Sequence, residues 1–254
     1  RDFIRKRGLL DETDAIVYVC SIFGPRAVLG WPRNQKRVFF SGENLHVDRL
    51  SHYADHMLTE RNPFDLALGF DCFDDEKYLR FPLWLIYLFP PEASDDDIKQ
   101  ICESLRYPKG NTHSRFCSLI SRWDPIGTRG RIEKSISELG HIDCPSEFMH
   151  NDDSLLQQYA DDKCEYLKQF MFNICPENSN AFGYTTEKVF ECIKSGCIPI
   201  YWGGMGTPEP DVLNQNAILF WNDNGDNSSM IDTIVRMKED IGFFESFASQ
   251  PRLT

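Results

Sequence analysis

Residues 170–203, FMFNICPENSNAFGYTTEKVFECIKSGCIPIYWG, constrain the fold more than any other part of the chain. An apolar run ends at Cys175, and a polar loop carrying Glu177, Asn178 and Gly183 follows it. The spacing predicts a helix over 186–195, with Thr185 or Thr186 able to cap free backbone N–H groups and Gly196 placed to end it. CIPIYW is then a continuous apolar run suited to a strand buried on both faces of a sheet. Strand, helix and strand in this order form a βαβ unit. Such a unit commits its neighbourhood to a parallel sheet with right-handed crossovers.

The flanking sequence repeats the alternation. Residues 115–120, 167–175 and 217–221 read as strands, and 131–139 and 230–241 as helices. In the first half, residues 15–22, 37–40 and 66–70 read as short strands of a small parallel sheet. Residues 93–105 read as a helix whose first turn, with Asp95, Asp96 and Asp97, complements the helix dipole. The loop Tyr107-Pro108-Lys109-Gly110-Asn111 is the expected boundary between domains of residues 1–110 and 111–254. The fold class is therefore α/β, with two domains.

The formal net charge of −12 over 254 residues argues against nucleic acid, which is bound through Lys and Arg on phosphates. It leaves room for a nucleotide, because a small diphosphate needs only a few local donors. Nine scattered cysteines, none at C-x-x-C spacing, read as buried free thiols and favour a reducing compartment. The longest apolar run, 83–89, is too short to cross a membrane. The chain begins with Arg rather than Met, so an upstream leader or anchor stays open.

The loop before the 186–195 helix lies at the carboxyl end of a strand, where open α/β sheets bind ligands. A helix N-terminus is a natural seat for phosphate, and Lys188 in the first turn adds a full charge. Glu187 suits a sugar or ribose hydroxyl. The bland alternative is an ordinary turn with a solvated Glu–Lys pair, and on the residues alone the two readings are level. His52 and His56 read as a surface pair rather than a metal site, since no third ligand is in view. Asp71, Asp74 and Asp75 read as a solvated acidic turn, their spacing being wrong for a D-x-D metal motif.

Glu177-Asn178 followed by Tyr184-Thr185-Thr186-Glu187-Lys188, a helix and IPIYWG resembles the donor-binding signature of the α1,3/4-fucosyltransferase family, and most of all its bacterial members. Pro176 departs from the usual Phe of that signature. KRVFFSGEN at 36–44 and LALGFDCFDDEKYLRFPLW at 66–84 resemble the same family's acceptor domain, so the likeness runs from about Ala15 to Thr254. It implies two Rossmann-like domains facing across a cleft (the GT-B arrangement), the N-terminal one short of a first strand and helix that family members usually carry. It implies inverting transfer of L-fucose from GDP-fucose to a glycan hydroxyl, expected at O3 of N-acetylglucosamine, with no metal and no cofactor. Peripheral membrane association through tails absent here, and a cytoplasmic location, go with the bacterial likeness. A Golgi lumen goes with a trimmed eukaryotic anchor.

By the same resemblance Glu43 is the base for the acceptor hydroxyl, against the alternative of a solvated loop carboxylate. Arg129 and Lys188 match the phosphate-binding pair, with Arg131 the competitor of Arg129 when the count runs back from Leu139. Tyr184, Glu187 and Asn178 match residues around the donor. For Glu177, loop structure and ligand contact are equally open. The rival functions are a glycosyltransferase using another nucleotide sugar and a non-catalytic nucleotide-sugar or glycan-binding protein.

Overall fold

The computed structural model describes residues 17–22, 36–54 and 64–254. The chain divides into two compact units, Arg1–Leu85 and Ile86–Thr254.

In the first unit β1 (Val17–Cys20), β2 (Lys36–Phe40), β3 (Leu66–Gly69) and β4 (Tyr78–Arg80) form a parallel sheet in sequence order. Phe39, Leu45, Phe64, Ala67 and Tyr78 make its core. The three strands expected here are present, and β4 is an addition too short to read from pattern. The acidic segment after β3 behaves as a turn: Lys77 N donates to Asp75 Oδ1 at 2.7 Å, and Asp71 pairs with His46 at 2.7 Å. His52 lies in a short 3₁₀ turn, and His56 lies outside the described residues.

The second unit begins with α1 (Asp95–Arg106), closed by a reciprocal bond pair between Ser94 and Asp97. There follow β5 (Arg115–Ser118), α2 (Thr128–Ile136), β6 (Ile142–Asp143), α3 (Lys163–Leu167), β7 (Phe170–Ile174), α4 (Glu187–Lys194), β8 (Ile198–Tyr201), β9 (Leu219–Phe220), α5 (Ser228–Glu239) and α6 (Ile241–Ala248). The sheet order is β6-β5-β7-β8-β9, all parallel. All four residues of β8 are buried, as the apolar run demands, and α2, α5 and α6 cover the sheet through Ile132, Ile136, Ile234 and Phe244. The eight cysteines from Cys72 to Cys197 are free, and five of them are buried.

Three expectations shift. The domain division falls at Leu85/Ile86 instead of at residue 110, because α1 packs against α4 and the chain end returns to it, Arg252 N donating to Arg106 O at 2.9 Å. Helix α2 starts at Thr128 rather than 131, since the Asp124 carboxylate accepts from both Arg129 N and Gly130 N and satisfies the first turn. Strand β7 starts at Phe170 because 163–167 is helical, with Asp162 capping Glu165 N. The helix expected over 230–241 is found as α5, and a further helix, α6, follows it, started where Asp240 caps Phe243 N.

Gly196 ends α4 at φ +84°, and a Cβ there would stand 2.9 Å from Asn111 Cβ. That neighbour is held in place, its Nδ2 donating to Phe170 O and Ser195 O. Gly196→Ala should therefore destabilise the second unit by about 1–3 kcal/mol, the left-handed backbone and the contact both contributing. Urea unfolding followed by tryptophan fluorescence checks it, and an unchanged midpoint would contradict the assignment.

Candidate functional site

The strand order of the second sheet reverses once. From β5 the chain moves to β6 on one side, then crosses to β7 on the other. The carboxyl ends of β5 and β7 are therefore the topological switch point, where such sheets leave a crevice for ligands. Two loops leave from it: one runs from β5 to α2, which carries Arg129, and one from β7 to α4, which carries Lys188.

The second loop is pinned by Glu177. Its side chain has no exposed surface, and both oxygens are used. Oε1 accepts from Thr186 N at 2.7 Å and from the Tyr201 hydroxyl at 3.2 Å. Oε2 accepts from the Thr186 hydroxyl at 2.7 Å and from Lys188 Nζ at 3.2 Å. Thr186 holds the cap position of α4, yet its side chain makes no cap bond, contrary to the sequence expectation. The carboxylate from nine residues earlier serves the helix instead. Gly203 makes room for it: at φ +146°, a Cβ there would lie 2.6 Å from Glu177 Cγ.

Lys188 Nζ also donates to Thr186 Oγ1 at 2.9 Å and lies 3.8 Å from Glu187 Oε1. Burial pulls its ammonium down, but Glu177 and Glu187 more than offset this, so its pKa lies above the ordinary lysine value. Arg129 is buried at 3% exposure. Its Nη1 donates to Trp123 O at 3.1 Å, and Nη2 donates to Asn178 Oδ1 at 3.0 Å and Pro176 O at 3.3 Å. Burial lowers its pKa against the opposing pull of Asp124 and Glu177. The guanidinium stays charged, since arginine titrates far above neutrality.

Arg129, Asn178 and Lys188 line one cavity of about 640 Å³, walled also by Trp123, Leu156 and Lys163. That is within the range of small-ligand sites. A smaller cavity of about 70 Å³ adjoins Arg129, Asn173, Glu187, Lys188 and Glu191. Asn173 Oδ1 and Glu187 Oε2 are buried with no hydrogen-bond partner in the protein. Two cations beside unpaired acceptors suit a ligand carrying both an anion and hydroxyl groups.

Residues 109–249 match the model of the glycosyltransferase family 10 (fucosyltransferase) C-terminal region, and residues 5–87 match that of the α-(1,3)-fucosyltransferase FucT N-terminal domain. The chain belongs to glycosyltransferase family 10. It is 28% identical over 217 residues to the α-(1,3)-fucosyltransferase FucT of Helicobacter pylori, covering 76% of this chain and 42% of that protein. It is 27% identical over 135 residues to human GDP-fucose protein O-fucosyltransferase 3, covering 47% of this chain and 28% of that one. The chain thus spans less than half the length of these relatives. A crystal structure of an α1,3-fucosyltransferase with GDP-fucose superposes with a TM-score of 0.64 at 22% identity, covering 88% of this chain and 69% of that one. The α/β fold with parallel sheets is common to both.

Within this family 10 chain, four of the six residues singled out from sequence gather in the second unit around the cavities: Arg129, Asn178, Glu187 and Lys188. Arg131, the competitor of Arg129, points elsewhere. It is tied to Asp223 through Nε at 2.8 Å and Nη2 at 2.5 Å. Tyr184 is buried at 1% exposure, close enough to Arg129 to influence its charge. Glu43 belongs to the first unit, just past the carboxyl end of β2. There Ser41 Oγ donates to Glu43 O at 2.7 Å and accepts from Glu43 N at 3.2 Å. Among the described residues no His, Cys, Asp and Glu cluster of three or more is set to hold a metal ion, and no helix is long and apolar enough to cross a membrane.

Sequence reading missed Asp124, Trp123, Lys163 and Tyr201. Asp124-Pro125 carried a signal, as a turn pair just before a helix. Tyr201 was hidden in an apolar strand, but a tyrosine in a buried run needs a partner for its hydroxyl. Tyr201→Phe removes one donor from Glu177 and leaves no void. It should cost about 0.5–1.5 kcal/mol of unfolding free energy in chemical denaturation. A loss near zero would mean that the bond contributes nothing.

Proposed function

We propose that the protein is an inverting fucosyltransferase that moves L-fucose from GDP-fucose to an acceptor hydroxyl, with O3 of N-acetylglucosamine in a glycan as the first acceptor to test. The observation that carries this reading is the pairing of Arg129 with Lys188 on one cavity at the switch point in a chain of this family. Leaving GDP gathers charge on its β-phosphate. Arg129 and Lys188 stabilise that charge, a task that metal ions perform in other enzymes. The unpaired acceptors Asn173 Oδ1 and Glu187 Oε2 accept hydrogen bonds from hydroxyl groups of the donor, and Asn178 orients the Arg129 guanidinium.

Inversion requires a single displacement at fucose C1, with a base for the acceptor hydroxyl. Glu43 is assigned that role by its resemblance to the family's base, in the unit that matches the family's N-terminal domain. Its turn is built rigidly from Ser41 and a buried Asn44, which suits a group that has to be positioned. The match to a protein O-fucosyltransferase favours a second acceptor class, a serine or threonine hydroxyl of a protein, with the same donor site.

Thermal-shift measurement tests the donor assignment. GDP and GDP-fucose at about 100 times their Kd should stabilise the fold by about 2.7 kcal/mol, while UDP and dTDP leave it unmoved. Stabilisation by UDP-sugars in preference to GDP-fucose would overturn the reading in favour of another nucleotide sugar. Excess EDTA should leave most of the transfer activity, and complete loss restored by Mn²⁺ would reveal a metal requirement.

The base is tested apart from binding. Glu43→Gln keeps shape but removes basicity, and general-base assistance is worth about 10²–10⁴-fold. Turnover should fall by that order while the GDP-fucose dissociation constant changes little. A variant transferring at close to the wild-type rate would remove Glu43 from the role.

A further inference from the structure

A lysine offered to a phosphate is a flexible, strongly hydrated point charge on a four-carbon stem. Here it is not left free. Lysine has three N–H donors, and two of those on Lys188 are taken, by Glu177 Oε2 at 3.2 Å and Thr186 Oγ1 at 2.9 Å. Both acceptors are themselves fixed, since Thr186 donates its hydroxyl and its backbone N–H to the same carboxylate. Tyr201 closes the set from β8. The Lys188 side chain is a quarter exposed and lines both cavities, so the third donor is the one left for a ligand.

We infer that Glu177 is a positioning residue: it anchors Lys188 through two of its three donors, so that the third meets the donor phosphate in one orientation without reorganisation. The inference rests on the proposed donor site and adds a role for a residue that touches no substrate. A charge aimed before the reaction is worth more than one that must be gathered during it. The negative charge of Glu177 lowers the net attraction of the site for an anion, so its benefit appears in turnover rather than in affinity. The other charged groups around Lys188 do not replace it. Glu187 is at 3.8 Å, Glu191 on α4 faces Lys163 at 3.7 Å, and Arg129 from α2 is a like charge.

Glu177→Gln keeps side-chain volume but removes the negative charge and one of the two acceptor oxygens, so Lys188 loses its ionic anchor and either it or Thr186 N is left facing an amide N–H. With wild-type protein binding GDP and transferring fucose, E177Q should lose about 10²-fold in turnover and change the GDP-fucose Kd by less than about threefold. E177Q combined with Lys188→Ala should be no slower than Lys188→Ala alone, because residues acting as a unit are not additive. Binding in E177Q should also weaken with rising pH below the range where the wild type does, since burial of Lys188 is then opposed by Glu187 alone.

Losses that add in the double variant, or turnover within about twofold of wild type, would overturn the positioning role and leave the donor site standing. A wild-type protein that fails to bind GDP would overturn both. If E177Q does not fold, Thr186→Val removes the second anchor while Glu177 keeps its bond from Thr186 N, and the same comparison with Lys188→Ala decides. Non-additive loss supports the role and additive loss rejects it.

Discussion

A carboxylate removed entirely from water must find donors for both oxygens, and the donor groups it finds become fixed with it. Glu177 meets this requirement with a backbone N–H, two hydroxyls and an ammonium, drawn from the start of α4 and from β8. Its own backbone N–H donates to Trp202 O, which extends the β7–β8 pairing past the end of the strands. One residue therefore joins the end of the sheet, the first turn of the helix and the cation on that turn. Gly203 belongs to the same arrangement, because any side chain there would occupy the space of Glu177.

The sheet order explains why this pinned loop matters. Only where the winding reverses do the loops of two neighbouring strands diverge and leave a crevice. In this unit those strands are β5 and β7, so the two loops that flank the crevice are the ones leading to Arg129 and Lys188. Asp124 sets the first of these helices through two first-turn N–H groups, and Glu177 sets the second through the N–H and hydroxyl of its cap residue Thr186. In neither helix does the side chain of the cap residue itself make a cap bond. Both acids also lie near the cations, which is why the pKa values of Arg129 and Lys188 carry opposing contributions from burial and from carboxylates.

Much of this was legible in the sequence because periodicity and length agree over 170–203: β7, α4 and β8 lie within a few residues of their expected places. Lys188 and Arg129, singled out by resemblance to the family's phosphate-binding pair, line one cavity. What stayed hidden follows from three physical causes. Strands β4 and β6 have three and two residues, too few for a period to show. The start of α2 is set by a carboxylate five residues upstream of Arg129, beyond the reach of any rule for the cap position itself. The place of α1 is decided by packing on α4, which no composition shift at the Pro-Gly loop announces.

The two cations are treated differently, and the difference divides the work between them. Lys188 is bonded to a carboxylate, so much of its charge is answered before any ligand arrives. Arg129 is bonded only to neutral oxygens: two backbone carbonyls and the Asn178 amide. Those contacts fix the plane of the guanidinium without neutralising it, in a setting where burial strengthens its field. On the proposed donor site, Arg129 presents a guanidinium fixed by neutral oxygens and Lys188 a single aimed donor. If that site holds GDP-fucose as proposed, affinity for the diphosphate should reside mainly in the arginine, and stabilisation of charge that develops during departure mainly in the lysine. The divergence from Phe to Pro at position 176 fits this division, since what Arg129 takes from that residue is its carbonyl oxygen, which proline retains.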